Sequence, residues 1–127
     1  MYVERHEVAV KTAAGGAGAG YTRVVSGRIL AIRYVKDPAA TAYADTVDFT
    51  ITSEATGANI WTEENVDASK TVYPRAQVHS TAGVGLKYDV AGAQPVAEPP
   101  VVALDRVKVA VAAGGDLKTG TFHVLVG

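Results

Sequence analysis

Val47-Asp48-Phe49-Thr50-Ile51-Thr52-Ser53 alternates strictly, with Val47, Phe49 and Ile51 on one side and Asp48, Thr50 and Thr52 on the other. A period of two is the signature of a half-buried β-strand. Downstream, Arg106 to Ala112 repeats the pattern, with Val107, Val109 and Val111 opposed to Arg106 and Lys108. After a turn at Gly114-Gly115-Asp116, Thr119 to Val126 alternates again with Phe122, Val124 and Val126 inward. Two alternating runs joined by glycines are expected to pair as a C-terminal hairpin.

Upstream, Glu4 to Lys11 sets His6, Val8 and Val10 against Glu7, Ala9 and Lys11, so a strand is expected there. The run Gly15-Gly16-Ala17-Gly18-Ala19-Gly20 is expected to be a flexible turn, because glycine weakens strand and helix interiors alike. Gly27 to Val35 has apolar residues of both parities: Leu30, Ile32 and Tyr34 on one side, Ile29, Ala31 and Val35 on the other. That predicts a central strand covered on both faces. Asn59 to Thr62, Ala68 to Tyr73 and Val101 to Leu104 are shorter candidates, the last weakened by Pro99-Pro100. Helix-like composition occurs at Asp37 to Asp45, where Pro38 suits a first helical position, although a loop fits equally. Strands spaced by roughly 8 to 15 residues and divided by Gly, Pro, Asn and Asp indicate an all-β sandwich or barrel. One domain over residues 1–127 is expected, with Ala91 to Pro100 as the sole candidate linker.

Composition narrows the function classes. The chain has 127 residues, 12 Lys and Arg against 13 Asp and Glu, and no cysteine. Disulfides, cysteine zinc sites and thiol nucleophiles are thereby excluded. A net charge of -1 supplies no basic field for nucleic acid. No apolar run reaches a membrane span, and Met-Tyr-Val-Glu-Arg-His-Glu lacks the basic start and apolar stretch of a signal peptide. Neither a nucleic acid nor a membrane is expected as partner.

Catalytic constellations are not found in the pattern. The glycines at 15–20 are followed by β-like Tyr21-Thr22-Arg23-Val24-Val25 and not by the helix a phosphate cradle requires. His6, His79 and His123 show no paired metal-ligand spacing. Glu63-Glu64 and Asp45 with Asp48 read as turn and strand residues, and Ser26, Ser53 and Ser80 lack a nucleophile elbow or an adjacent base. No catalytic residue, cofactor or metal is expected. Trp61 is expected in the core, whereas Tyr73-Pro74-Arg75 combines an aromatic ring with a guanidinium, the residue types that dominate interfaces.

Glu4-Arg5-His6-Glu7-Val8-Ala9-Val10, Gly27-Arg28-Ile29-Leu30-Ala31-Ile32-Arg33-Tyr34, Val47 to Thr52, Tyr73-Pro74-Arg75 and Lys118-Thr119-Gly120-Thr121-Phe122-His123-Val124 resemble small structural proteins of tailed bacteriophages and prophages. The similarity is one of pattern over nearly the whole chain. Within that group the chain resembles a capsid cement or decoration protein. The resemblance implies an antiparallel two-sheet sandwich of jelly-roll type, made in the bacterial cytoplasm and carried on the outside of the phage head. It further implies the major capsid protein as partner and a homo-oligomer, a trimer foremost. A tail or head-to-tail component would share these features. So would a receptor- or glycan-binding fibre module with Trp61, Tyr43 or Tyr88 as its stacking platform.

Two segments are expected to reach the capsid. Met1 to His6, with Tyr2, Arg5 and His6, reads as an arm ahead of the first strong alternation. Tyr73, Pro74 and Arg75 lie where a proline, unable to donate to a ladder, takes the chain out of its sheet and frees the guanidinium for a carboxylate.

Overall fold

In a computed structural model, which describes residues 2–127, the chain forms eleven strands and no helix among the described residues. They are β1 (Glu4–Lys11), β2 (Gly18–Tyr21), β3 (Val25–Lys36), β4 (Asp48–Ser53), β5 (Asn59–Glu63), β6 (Lys70–Val72), β7 (Ala76–Gln77), β8 (Ala97–Glu98), β9 (Val101–Asp105), β10 (Val107–Ala112) and β11 (Thr119–Val126). One sheet runs β1-β11-β3-β6, with β9 also paired to β3, and the facing sheet runs β2-β10-β4-β5. The pairs are nested: β1 with β11, β2 with β10, β3 with β6, β4 with β5, all antiparallel. A long hairpin wound over itself in this way, its strands feeding the two sheets in turn, is a jelly roll. The all-β, antiparallel two-sheet expectation holds.

The alternating faces meet in the middle. Phe49 of β4 and Phe122 of β11 touch edge to face at 4.8 Å, with Tyr34 of β3 at 4.7 Å from Phe49 and Trp61 of β5 at 5.7 Å. Such aromatic pairs add about 0.5–1.5 kcal/mol each beyond burial. Tyr43 reaches this cluster from the loop between β3 and β4, where Thr41 and Ala42 donate to the Pro38 carbonyl in a turn; the loop alternative at Asp37 to Asp45 is the one realised. A Cβ at Gly120 would strike the Tyr43 ring, so the absence of a side chain there seats that loop on the core.

Three expectations are corrected. The C-terminal hairpin does not form: β10 lies between β2 and β4, and β11 lies between β1 and β3 in the other sheet. Residues 113–118 form a corner between sheets, with Ala113 and Leu117 at positive φ and Thr12 stitched to it by donation from its hydroxyl to the Gly115 carbonyl at 2.6 Å. The glycine run is not all turn, since Gly18 to Tyr21 is β2. A Cβ at Gly18 would lie 2.7 Å from the Lys11 carbonyl oxygen, and one at Gly20 2.7 Å from Val8, so strand backbone approaches β1 only where side chains are missing. Nor is β3 covered on both faces along its length: Ala31 is buried on the face opposite Ile32, but that cover does not extend to Val35. Leu125 pairs with Ala31 and Val126 with Ile29, leaving Leu30 as the extra residue of a bulge that turns Ile29 into the same core as Ile32 and Tyr34. Arg33 and Val35 on the outer face are exposed.

One edge of β3 is shared by two strands. Ile32 pairs with Val72 of β6 and Arg28 with Val101 of β9, so three residues, Ile29, Leu30 and Ala31, separate the two contacts on β3. The chain takes residues 73–100 to cross the same gap. The edge strand of the jelly roll has been opened and an arm inserted. The candidate linker Ala91 to Pro100 is the returning half of that arm.

Candidate functional site

The arm leaves the sheet at Tyr73, where β6 ends, as the proline at 74 required. It holds itself together through its backbone. Ala76 and Gln77 pair with Glu98 and Ala97; the Val78 amide donates to the Val96 carbonyl, Val96 to Leu86, and Leu86 to Val78, at 2.9–3.0 Å. Turns close at Ser80–Gly83 and Asp89–Gly92. None of residues 75–98 is buried. The whole chain accordingly exposes 7356 Å², roughly 1,000 Å² more than a compact chain of this mass. An ordered segment that adds nothing to the core and keeps its ends close together is the kind of surface element that carries contacts rather than stability.

The sequence-derived anchors are placed as follows. Tyr73 and Arg75 are exposed at the root of the arm, and Pro74 between them is buried. Arg75 donates to the Pro74 carbonyl at 2.7 Å and makes no ion pair among the described residues, leaving the rest of its guanidinium open. Tyr2 is exposed, and Arg5, also exposed, reaches His123 at 3.4 Å, the limit of a hydrogen bond. His6 is corrected. Glu4, Arg5 and His6 belong to β1, not to an arm, and His6 points inward at 9% exposure with Nε2 3.1 Å from Glu4. Alternation along β1 turns Arg5 out and His6 in. Of the N-terminal segment only Tyr2 and Val3 precede the strand among the described residues. Among the described residues no side-chain hydrogen bond or ion pair joins the Tyr2–Arg5 group to the Tyr73–Arg75 group.

Other chemistry is sparse. A groove of about 340 Å³ is lined by Tyr2, Glu4, Arg23, Val24, Ser26 and Gly127. Among the described residues no cluster of three acidic or histidine side chains could hold a metal ion. Burial pushes the Tyr34 phenol up to about 12, with the nearby Asp37 charge adding to it, and burial also raises Tyr43. Both stay protonated and serve the core. The perturbed carboxylates belong to a clasp where the two sheets meet: the Arg106 guanidinium hydrogen-bonds Glu54 through two nitrogens and covers the Tyr21 ring at 4.3 Å. Those hydrogen bonds hold Glu54 below its ordinary range. Trp61 and Tyr43, at 8% and 3% exposure, are core residues, so of the three rings considered for a stacking platform only Tyr88 is at the surface.

One further surface residue was not singled out from sequence. Leu104 lies in a bulge of β9 against Ser26, whose hydroxyl accepts from its amide at 2.8 Å, and it is exposed with φ at 48°. A branched residue in the left-handed region is strained by about 1–2 kcal/mol. No local pattern marks it, because its conformation comes from the ladder shift.

Compared with protein-family models, curated proteins and solved structures, the chain matches none.

Proposed function

We propose that this chain is a structural virion protein, a decoration protein that binds the outside of a tailed-phage head and links subunits of the major capsid protein. The observation that carries this reading is the arm at residues 73–100: the edge strand is opened to project a segment with none of residues 75–98 buried. A jelly roll with such an arm suits a protein whose work is contact. The fold itself is shared by capsid proteins and lectins, so it contributes by analogy only. The phage assignment rests on the sequence resemblance. The proposed capsid anchors are Tyr2 and Arg5 at the start of β1 and Tyr73 and Arg75 at the root of the arm, with Pro74 holding the departure.

The mechanism is mass action. A ligand that binds only the assembled, expanded lattice stabilises it by RT ln(1 + [L]/Kd), about 4 kcal/mol per site at a thousandfold excess over Kd. Neither a cofactor nor nucleic acid or membrane enters this scheme, and the protein acts as a symmetric homo-oligomer, a trimer foremost. Electron microscopy of purified particles, with copy number from mass spectrometry, tests it. Hundreds of copies on the head exterior are expected. Confinement to the tail, or a few copies per particle, overturns it in favour of a tail or connector role. The glycan-binding alternative loses two of its three aromatic residues to the core, and a blank glycan array removes it.

A further inference from the structure

Register gathers one set of side chains on the outer face of the β1-β11-β3-β6 sheet. Arg5 lies opposite Leu125; Glu7, His123, Arg33 and Thr71 form the next row, across four strands; Lys11 closes the face opposite Thr119. Beyond the bulge, Arg28 lies opposite Val101. Directly opposed residues of antiparallel strands share a face. The alternate residues Val8, Ile29, Ile32 and Val124 are in the core, so this set faces water.

The charge on that face is of one sign. Arg5, Lys11, Arg28 and Arg33 are exposed, and none is in an ion pair among the described residues. Arg5 approaches a ring nitrogen of His123 at 3.4 Å and Arg33 donates to the Thr71 hydroxyl at 3.3 Å, neither partner a carboxylate. Glu7 is the one acid in these rows. The whole chain has 12 Lys and Arg against 13 Asp and Glu, so the rest of the molecule is left with a surplus of acids. On the outer face of the other sheet, Lys108 is offset by Asp48. Between the cations stand apolar side chains that a partner can bury: Val101 at 74% exposure, Val35 at 37%, and the half-buried Leu125.

A surface carrying one sign is complementary to the opposite sign. A second copy meeting this face about a two-fold axis would set the cations against themselves. A nucleic acid or a bilayer presents phosphate everywhere, over Glu7 as well as over the arginines. A protein can place carboxylates over the arginines and a donor over Glu7, with apolar side chains between them.

We propose that the outer face of this sheet docks on an acidic patch of a partner protein, the patch offering carboxylates to Arg5, Lys11, Arg28 and Arg33 and covering Leu125, Val35 and Val101. Naming the major capsid protein as the owner of that patch rests on the decoration reading; the docking face itself does not.

Binding to an immobilised random copolymer of glutamate and tyrosine tests it, with duplex DNA and phosphatidylserine vesicles as the phosphate-bearing probes. Three proteins are compared: the parent, Arg28→Glu with Arg33→Glu, and Lys87→Glu with Lys108→Glu, which changes the net charge equally away from the face. The parent is expected to bind the copolymer, more weakly as salt rises. The Arg28/Arg33 variant should bind about tenfold more weakly or worse, and the Lys87/Lys108 variant as well as the parent. Circular dichroism checks the sheet signal of each; should the Arg28/Arg33 variant lose it, Arg28→Gln with Arg33→Gln decides. A parent that ignores the copolymer, equal weakening of both charge variants, or tighter binding to DNA or vesicles overturns the proposal. Expanded phage heads free of decoration protein separate it from the decoration reading. Heads coated equally by the parent and the Arg28/Arg33 variant overturn the docking face and leave decoration standing, whereas copolymer bound through the face with heads left bare does the reverse.

Discussion

Ser53 and Asp105 join the two sheets: the Ser53 hydroxyl, at the end of β4, donates to the Asp105 carboxylate, at the end of β9. The same carboxylate accepts from the amides of Ala55 and Arg106, so both sides of the crossing from β9 to β10 are tied to the turn after β4. The Ser53 hydroxyl, followed by those two amides, holds the Asp105 carboxyl below its ordinary range.

A carboxylate whose pKa is lowered by folding contributes stability above its unfolded value, about 3.9, and that contribution is lost as pH falls through the folded value. Asp105→Asn is therefore expected to melt at a lower temperature than the parent at pH 7. Below the folded value the two melting curves should converge. Differential scanning calorimetry between pH 7 and pH 2 reads both, and a gap that stays constant across this range would remove the charge from the explanation.

Gly18 and Gly15 should respond in opposite ways to the same change. A Cβ at Gly18 meets the Lys11 carbonyl, backbone that cannot yield without disturbing β1, whereas a Cβ at Gly15 meets nothing within 4 Å and its φ is not positive. Gly18→Ala is expected to destabilise by about 1–3 kcal/mol, the range for overpacking. Gly15→Ala is expected to be neutral or stabilising by up to about 1 kcal/mol through the unfolded chain. Urea denaturation followed by the fluorescence of Trp61, the single tryptophan, measures both.

Amide hydrogen exchange should separate the arm from the sandwich. Its backbone bonds lie under no buried side chain, so residues 76–98 are expected to exchange through local opening, far faster than β3 and β11. Equal protection in dilute solution would mean that the arm is already covered there.

Arg75→Ala tests the capsid anchor. Among the described residues its guanidinium has only the neighbouring carbonyl of Pro74 as partner, so the fold should tolerate the change. Binding to expanded heads free of decoration protein is expected to weaken by about 2 kcal/mol or more, roughly thirtyfold, as for an interface hot spot. Removing residues 1–3, which leaves β1 whole, tests the Tyr2 anchor by the same titration. Undiminished binding by both variants would move the contact elsewhere.

The strands were legible because period-two alternation is a local record of burial. Glu4–Lys11 was found at its bounds, and Val47 to Ser53, Arg106 to Ala112 and Thr119 to Val126 were found to within a residue. Trp61 in the core followed from its size and setting, and the departure of the chain at Pro74 from the chemistry of proline. Pairing is a non-local property and escaped the same reading. Val107 to Ala112 alternates identically whether it turns back on Thr119 to Val126 or, as here, crosses to the other sheet, because alternation names a buried face and not the neighbour along the edge.

The same holds for Gly18 and Gly20, whose value as strand residues exists only because Lys11 and Val8 stand 2.7 Å from where their Cβ atoms would be. The arm shows the division most sharply. Val84, Leu86, Tyr88 and Val90 are apolar residues that stay exposed there. By itself the chain determined which residues wish to leave water: that preference is written residue by residue. The tertiary structure alone decided which of them succeed within one subunit, since burial depends on what the rest of the chain brings alongside, and it leaves Leu86 and Tyr88 41% and 78% exposed.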